Sequence, residues 1–298
     1  MSDTPFRFNF SAMGSPCELL ICADSRAKAE LAAEAGVAEV KRIEHKYSRY
    51  RPDSLVSAIN ARAGSGEWSE FDNETAWLLN FADTLYSNSE GLFDITSGVL
   101  RRVWNFDKAL IPSLAALEAV LPLIAWSRVE IKNKAIRLPE AGMEIDFGGF
   151  GKEYAADSAA VALQKKGIAH GYVNLGGDIR VIGPQPGDSS PWKMAIQDPR
   201  QRDEIVATIP VFQGGLATSG DYEKYFEHDG RRYCHVMNPK TGVPVSYWQS
   251  VSIVAPLAIV AGSCSTITML MEEKGGDWMK KSGFSYLGIS NDGNRVSS

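Results

Sequence analysis

The chain has 298 residues, 44% of them hydrophobic, which is enough to bury a substantial core in one large domain or in two closely packed halves. The formal net charge is −5 and the basic residues are scattered, which argues against a nucleic-acid surface and against attraction to anionic membranes. These properties favour a protein that acts on another protein or on a small molecule.

The beginning of the chain, MSDTPFRFNFSAMG, lacks the basic and apolar segments of a secretory signal. The longest apolar run, 253–261, contains Pro256 and is shorter than the ~18 residues that a spanning helix needs. We therefore expect no membrane span and a cytoplasmic location. The cysteines lack the spacing of zinc sites and are expected to be buried, reduced thiols: Cys17, Cys22, Cys234 and Cys264.

The first half of the chain is predicted to be mostly helical. A strand at 18–23 leads into an Ala- and Glu-rich helix at about 26–46, whose apolar residues follow the 3.6-residue period. Asp72 is a plausible N-cap for a second helix that runs toward Gly91. A short third helix is predicted at 113–121.

After residue 129 the pattern is typical of short strands separated by Gly, Pro and Asp turns. One helix is predicted at 153–166, ending at Gly167, and a last long helix at about 257–273. The predicted strands are RVEIK, AIRL, MEIDF, GYVNL, DIRVI, WKMAI, EIVATI, YCHVM and SVSIVA. Because these strands occur in bunches without regular βαβ alternation, the sequence predicts an α+β fold.

Residues 146–157, DFGGFGKEYAAD, join three glycines to a predicted helix. Glycines let the backbone approach a ligand closely, and a helix N-terminus offers unpaired N–H groups and the positive end of its dipole. Phosphate is therefore the first candidate ligand. The segment lacks a full Walker or Rossmann spacing, so a simple tight turn explains it equally well.

Five further segments are rich in glycine and small polar residues, and each has a purely structural explanation. AMGSPCEL and VNLGGDIRVIG read as turns, and Asp94 or Thr96 in EGLFDITSG can cap a helix. ATSGDY reads as a turn beside Tyr222, a ring that either stacks on a planar ligand or fills the core. HVMNPKTG contains His235, and a lone histidine is more often a surface or core residue than a base or ligand.

Taken in order, these segments resemble the ApbE family, the FAD:protein FMN transferases. The resemblance spans nearly the whole chain and rests on eight collinear segments: AMGS, YSRYRPDSLVS, GLFDITSG, DFGGFGKEYAAD, VNLGGDIRVIG, ATSGDY, HVMNPKTG and SVSIVAP. It implies an ApbE-like fold of mixed, mostly antiparallel sheets with flanking helices, in two intimately packed halves of one domain, 1–298.

The resemblance implies that FAD is cleaved at its pyrophosphate. The FMN half is then joined by a phosphoester bond to a Thr or Ser of an acceptor protein, AMP is released, and Mg²⁺ assists. Such phosphoryl transfer needs positioning, charge neutralisation and a group that takes the hydroxyl proton, a role implied for His235. The residues implied to contact FAD are Met13, Tyr50, Leu92, Phe93, Asp94, Asp146, Lys152 and Val236.

The resemblance also implies a Mg²⁺ site made by the backbone carbonyl of Gly149 and by an Asp and a Thr four residues apart on the last long helix. Thr266 keeps the threonine, but Gly262 stands where the aspartate is expected. Since Mg²⁺ prefers one or two carboxylates besides phosphate, we expect weakened, FAD-dependent binding that Gly262→Asp would tighten. Asp178 is a conceivable substitute donor.

Three functions follow from this departure at Gly262. The first, which we favour, is an active transferase with an altered metal site. The second is a non-catalytic protein that binds or carries FAD. The third is an FAD pyrophosphatase, in which water replaces the acceptor hydroxyl and FMN and AMP are released.

Overall fold

The structure is a computed structural model that describes residues 4–201 and 203–298. Its helices are α1 (Arg26–Tyr47), α2 (Leu55–Ala61), α3 (Asn73–Asn88), α4 (Leu114–Val120), α5 (Gly151–Lys165), α6 (Ala258–Leu270) and α7 (Gly275–Ser282). Its strands are β1 (Thr4–Ala12), β2 (Ser15–Ala23), β3 (Ser69–Glu70), β4 (Glu130–Lys132), β5 (Ala135–Arg137), β6 (His170–Leu175), β7 (Asp178–Gly183), β8 (Trp192–Gln197), β9 (Ile205–Val211), β10 (Gly214–Gly220), β11 (Tyr225–His228), β12 (Arg231–Cys234), β13 (Trp248–Ala255), β14 (Ser285–Ser290) and β15 (Arg295–Ser297).

The central element is an eight-stranded sheet in the order β1-β2-β6-β7-β10-β13-β14-β15. Each neighbouring pair is antiparallel. Smaller sheets are formed by β3-β5-β4, by β8-β9 and by β11-β12. The predicted α+β fold with mostly antiparallel strands is confirmed.

The two faces of the sheet are covered differently. Helices α1, α5 and α6 pack on one face, with α5 between the other two. Because side chains alternate along a strand, Ile179 and Val181 of β7 point to the opposite face, where they pack against the β8-β9 ribbon. Asp178 and Arg180 point to the helices and pair there with residues of α5.

A second, smaller apolar cluster closes one end of the molecule. It joins the 3₁₀ helix Ser97–Arg102 and α4 to the β11-β12 hairpin through the side chains of Leu100, Trp104, Leu117 and Phe226. The indole of Trp104 donates a hydrogen bond of 2.8 Å to the carbonyl of Gly242. This cluster fixes the 3₁₀ helix and the segment after β12, both of which line the site described below.

Several local predictions are confirmed. Asp72 caps α3 by accepting a hydrogen bond from Thr75 N, and AMGS forms the turn between β1 and β2. A Gly176-Gly177 turn joins β6 and β7. None of the four cysteines forms a disulfide within the described residues; three are buried as predicted, whereas Cys264 is half-buried. None of the helices in the described ranges 4–201 and 203–298 has the length and hydropathy needed to cross a bilayer.

Three predicted elements are wrong. MEIDF, 143–147, is not a strand, because the Asn60 side chain bonds both the N–H and the carbonyl of Ile145 and replaces a partner strand. Residues 217–220 of ATSGDY belong to β10 rather than to a turn. The strand in YCHVM ends at Cys234, so His235 lies in the segment that follows β12.

Candidate functional site

A cavity of about 640 Å³ opens at one end of the helical layer. It is bounded by the 3₁₀ helix Ser97–Arg102, by the N-terminus of α5, by β10 and by the segment that follows β12. Ten of the residues predicted from the sequence line it: Tyr50, Leu92, Phe93, Asp94, Asp146, Gly149, Lys152, His235, Val236 and Thr266.

Met13 is the predicted contact residue that does not line the cavity. It lies in the β1-β2 turn with a positive φ of 53°, and its backbone N–H donates to the carboxylate of Glu44. Its methyl carbon lies 4.0 Å from the point where a Cβ on Gly151 would be. Met13 therefore packs beside the start of α5, next to the cavity wall.

The N-terminus of α5 faces the cavity through Gly149 and Lys152. Among the described residues no side chain caps this helix, whose N-cap residue is Phe150. Gly151 N donates to Phe147 O at 2.7 Å, and the other amides of the first turn, which by position lack an intrahelical partner, lie at the positive end of a 15-residue helix. The arrangement suits an anion such as phosphate.

The packing around position 149 leaves space for glycine only. A Cβ at this position would lie 2.8 Å from Cζ of Phe93, so a side chain would have to displace that ring. Phe93 is buried and stacks on Phe150 at a centroid distance of 6.2 Å. The glycine thus allows the α5 turn and the Phe93 segment to approach closely.

Asp94 has a structural role that its sequence context left open. One carboxylate oxygen accepts from Thr96 N at 2.7 Å and Thr96 Oγ1 at 2.6 Å, and the other accepts from Trp126 N at 3.2 Å. Burial raises the pKa of Asp94, while these hydrogen bonds oppose the rise. Asp94 holds the loop that carries Leu92 and Phe93 against the cavity.

Asp146 also has partners within the chain. Gly148 N donates to Oδ1 at 2.9 Å, and Arg49 Nη1 lies 2.9 Å from Oδ2. The Arg49 guanidinium stacks over the ring of Tyr50, 5.1 Å from its centroid, and Tyr50 itself is exposed at the cavity rim. Sequence reasoning missed Arg49, although the adjacent letters RY in YSRYRPDS place a cation beside a predicted contact residue.

Lys152 pairs with Asp178 across the cavity wall, with 2.8 Å between Nζ and Oδ2. Burial alone would lower the pKa of Lys152, but the carboxylates of Asp178 and Glu153 outweigh it and raise the pKa. Lys152 therefore carries its charge at neutral pH. Since the Asp178 carboxylate is already paired with Lys152, it is a poor substitute for the aspartate that is expected at position 262.

Glu153 is a site residue that the sequence analysis missed. It follows Lys152 in the first turn of α5, is only 7% exposed, and lines the cavity. Burial raises the pKa of Glu153 well above its ordinary value, and the nearby charge of Asp178 acts in the same direction. The sequence did contain an indication of this site. Glu153 and Asp157 are like charges four residues apart on an alanine-rich helix, and such a pair destabilises a helix unless the charges have partners elsewhere.

His235 faces the cavity from the segment after β12, and its backbone N–H donates to Lys224 O at 3.0 Å. His235 is exposed to solvent in the cavity, and desolvation by the protein groups packed around it lowers the pKa of His235 below its ordinary value. The ammonium groups of Lys152 and Lys224 act in the same direction. The imidazole is therefore neutral at pH 7 and able to accept a proton. Lys224, also on the cavity wall, was not singled out from the sequence.

Thr266 reaches the cavity from α6, where it meets β10. Its hydroxyl lies 3.0 Å from Ser219 Oγ, which also lies 2.7 Å from Ser265 Oγ. The Ser265 hydroxyl donates in turn to the carbonyl of Gly262 at 2.9 Å. Hydroxyl oxygens thus line this wall at one end of the cavity.

The donor groups around Thr266 fit a hard divalent cation that is bound partly by the protein and partly by phosphate oxygens. Residues 4–201 and 203–298 contain no group of three or more His, Cys, Asp or Glu side chains able to hold a metal by themselves. The cavity does offer hydroxyl, carbonyl and carboxylate oxygens, and Glu153 Oε2 is buried without a hydrogen-bond partner among those residues. Mg²⁺ is commonly bound by one or two carboxylates together with substrate phosphates.

The chain is similar over most of its length to a known family, to curated proteins and to solved structures. The ApbE family model matches residues 13–287. The FAD:protein FMN transferase of Escherichia coli K12 is 28% identical over 259 residues, which cover 83% of this chain and 73% of that protein. The enzyme of the same name from Treponema pallidum is 31% identical over 242 residues, which cover 75% and 67% of the two chains. The crystal structure of the ApbE protein of Thermotoga maritima has a TM-score of 0.90 and 31% identity over 99% of this chain and 97% of that one.

Proposed function

The chain belongs to the ApbE family, and from this premise we propose that it transfers the FMN half of FAD to a Thr or Ser hydroxyl of an acceptor protein, with release of AMP. One observation carries the proposal: residues predicted from separate segments of the sequence line a single cavity. Its volume of about 640 Å³ is within the range of small-molecule sites.

We propose that the α5 N-terminus and Lys152 bind the two phosphates of FAD. The uncapped amides of α5 supply hydrogen-bond donors, and the Lys152 ammonium supplies a full positive charge at the same end of the cavity. The exposed ring of Tyr50 at the rim and the side chains of Leu92 and Val236 offer apolar surface to the rings of the nucleotide.

His235 is the group in this proposal that accepts the proton of the acceptor hydroxyl. The hydroxyl oxygen attacks the phosphorus of the FMN half, a new P–O bond forms, and the bond to the bridging oxygen breaks so that AMP leaves. The lowered pKa of His235 supports this role, because the imidazole is unprotonated at neutral pH. Its open position leaves room for a hydroxyl from another protein.

The proposed metal is Mg²⁺, and the Thr266 hydroxyl and the Gly149 carbonyl are two of the groups that would hold it. When bound, the ion neutralises negative charge on the phosphates. The Ser219 hydroxyl, 3.0 Å from Thr266 Oγ1, fixes the orientation of that ligand.

The test is to incubate the protein with FAD, Mg²⁺ and an acceptor domain that carries a Thr within a flavinylation-type site. Mass spectrometry of the acceptor and quantification of AMP give the result. We expect an acceptor adduct with the mass of FMN and an equal amount of AMP, and no adduct on an acceptor whose Thr is replaced by Val. AMP without adduct would indicate an FAD pyrophosphatase, and bound, uncleaved FAD would indicate a non-catalytic flavin-binding protein.

A further inference from the structure

We propose that Glu153 is the carboxylate ligand of the metal ion in this cavity, supplied by α5 at the position where Gly262 of α6 has no side chain. The proposal rests on the proposed function for the presence of a metal and a pyrophosphate. It assigns to Glu153 a role that neither its sequence motif nor its position after Lys152 indicates.

One oxygen of the Glu153 carboxyl group has no partner among the described residues. Oε2 is buried and has no hydrogen-bond partner in residues 4–201 and 203–298, and Glu153 as a whole is 7% exposed. A buried polar oxygen without a partner is costly. The carboxyl group lines the cavity, so a ligand there can supply the missing interaction.

The Glu153 carboxyl group lies directly against Gly262 of α6. A Cβ built on Gly262 would collide with Glu153 Oε1 and lie 2.6 Å from Glu153 Cγ and 2.7 Å from Cδ. The Glu153 carboxyl group thus occupies the volume into which a side chain at residue 262 would extend. There is room for one carboxylate at this point, and α5 provides it.

The Thr266 hydroxyl lines the same cavity as the Glu153 carboxyl group. Thr266 is one helical turn after Gly262 on the same face of α6, so its hydroxyl and the Glu153 carboxyl group border the same end of the cavity. Oxygen-only donors of this kind select Mg²⁺ or Mn²⁺ rather than a soft metal.

The charge of Glu153 is balanced less directly than that of Asp178. Lys152 forms an ion pair with Asp178 at 2.8 Å, whereas Glu153 has no ion-pair partner within 4.0 Å among the described residues and is affected by the Lys152 charge only from a greater distance. A divalent cation at this position compensates Glu153 and a phosphate oxygen together. The same balance explains why the cation is expected only when nucleotide is present.

This geometry also changes the expectation for Gly262→Asp. The added side chain has no free volume and would place a second carboxylate against Glu153, so we expect it to lower the melting temperature rather than to tighten metal binding. When Glu153 is shortened to Ala, the collision with its Cγ, Cδ and Oε1 disappears. The double variant Glu153→Ala/Gly262→Asp then regains a carboxylate from the other helix.

The experiment measures Mn²⁺ binding to the full chain by electron paramagnetic resonance, with saturating FAD and no acceptor, and with chromatography to verify that FAD stays intact. Glu153→Gln keeps the shape and removes the charge, and we expect the affinity for Mn²⁺ to fall roughly tenfold or more. Glu223→Gln is the matched control, because Glu223 also lines the cavity and acts on the charge of Lys152. We expect it to have a smaller effect.

The second part of the experiment moves the carboxylate from α5 to α6. Glu153→Ala should weaken Mn²⁺ binding, and Glu153→Ala/Gly262→Asp should restore most of the lost affinity. Wild-type affinity in Glu153→Gln, or a loss no greater than in Glu223→Gln, would overturn the proposal. Failure of the proposed function is a separate result, since a wild-type protein that binds Mn²⁺ and FAD through Glu153 and modifies no acceptor supports this inference and contradicts transfer.

Discussion

Asp157 of α5 accepts hydrogen bonds from both of the first two amides of α6, at 3.0 Å from Ala258 N and 2.9 Å from Ile259 N. The two helices are therefore joined at a defined register. One turn toward the N-terminus of α5 and one turn toward the C-terminus of α6, Glu153 meets Gly262. The Asp157 cap therefore fixes the position of the contact between Glu153 and Gly262 at the cavity.

We predict that Asp157→Ala destabilises the protein. The substitution leaves two amides of α6 without a side-chain acceptor and removes the ion-pair partner of Arg180, whose Nε lies 3.2 Å from Oδ1. The free energy of unfolding should fall by roughly 2 to 3 kcal/mol. Urea unfolding measures it, with Asp157→Asn, which keeps one acceptor oxygen, as the milder control. Equal stability of the wild type and the Ala variant would show that the cap contributes nothing.

His235→Ala should abolish transfer and leave FAD binding intact. General bases contribute about 10²- to 10⁴-fold to rate, and the loss should appear in single-turnover transfer while the dissociation constant for FAD changes little. His228→Ala is a suitable control, because His228 is exposed on β11 and pairs only weakly with Asp229. Undiminished transfer by His235→Ala would remove this histidine from the mechanism.

The transfer rate should increase with pH and reach a plateau before neutrality. Protonated His235 cannot accept a proton, and its pKa lies below the ordinary value of about 6.5 because of its crowded surroundings and the two lysines. The rate is therefore expected to rise about tenfold per pH unit below that pKa and to be flat above it. A rate profile with its midpoint above pH 7 would contradict the assignment.

The same shift of the His235 pKa affects folding stability. The unfolded chain binds the proton more readily than the folded one, so the contribution of His235 to stability is complete above the unfolded pKa and is lost as the pH falls through the folded pKa. Between pH 7 and pH 5, the melting temperature of the wild type should therefore fall more than that of His235→Ala.

Lys152→Met should lower stability as well as activity. Met preserves the length of the side chain but leaves the buried carboxylate of Asp178 without its cation. We expect a loss of roughly 2 to 3 kcal/mol, less than the ~3–5 kcal/mol of a fully buried pair, because the Lys152 side chain is 33% exposed. The double variant Lys152→Met/Asp178→Asn should recover part of this loss. Additive effects in chemical denaturation would mean that the two residues do not interact.

Local chemistry explains which parts of the fold could be predicted from the sequence. Asp72 caps α3 through the amide of Thr75, three residues away, and the glycines at 176 and 177 form the turn of their own hairpin. Such features depend on neighbours in the chain, so spacing alone reveals them. MEIDF was misread because its alternating pattern fits a strand, whereas its hydrogen bonds go to Asn60, 85 residues from Ile145.

The site was predicted as a set of residues but not as a set of interactions. The family resemblance correctly placed Asp146 and Lys152 at one site. It did not reveal that Asp146 pairs with Arg49 and that Lys152 pairs with Asp178. Glu153 could not be assigned from sequence because its role depends on how α5 crosses α6. Only the packing of the two helices reveals that its carboxyl group fills the space over a glycine 109 positions away.

The most direct test of the account is the crystal structure of the wild-type protein soaked with FAD and Mn²⁺, with anomalous scattering used to locate the metal. We predict FAD in the cavity with its phosphates at the α5 N-terminus and Lys152, and an anomalous peak at bonding distance from the carboxylate of Glu153. An empty cavity, or a metal bound to FAD at a site away from Glu153 and Thr266, would contradict the account.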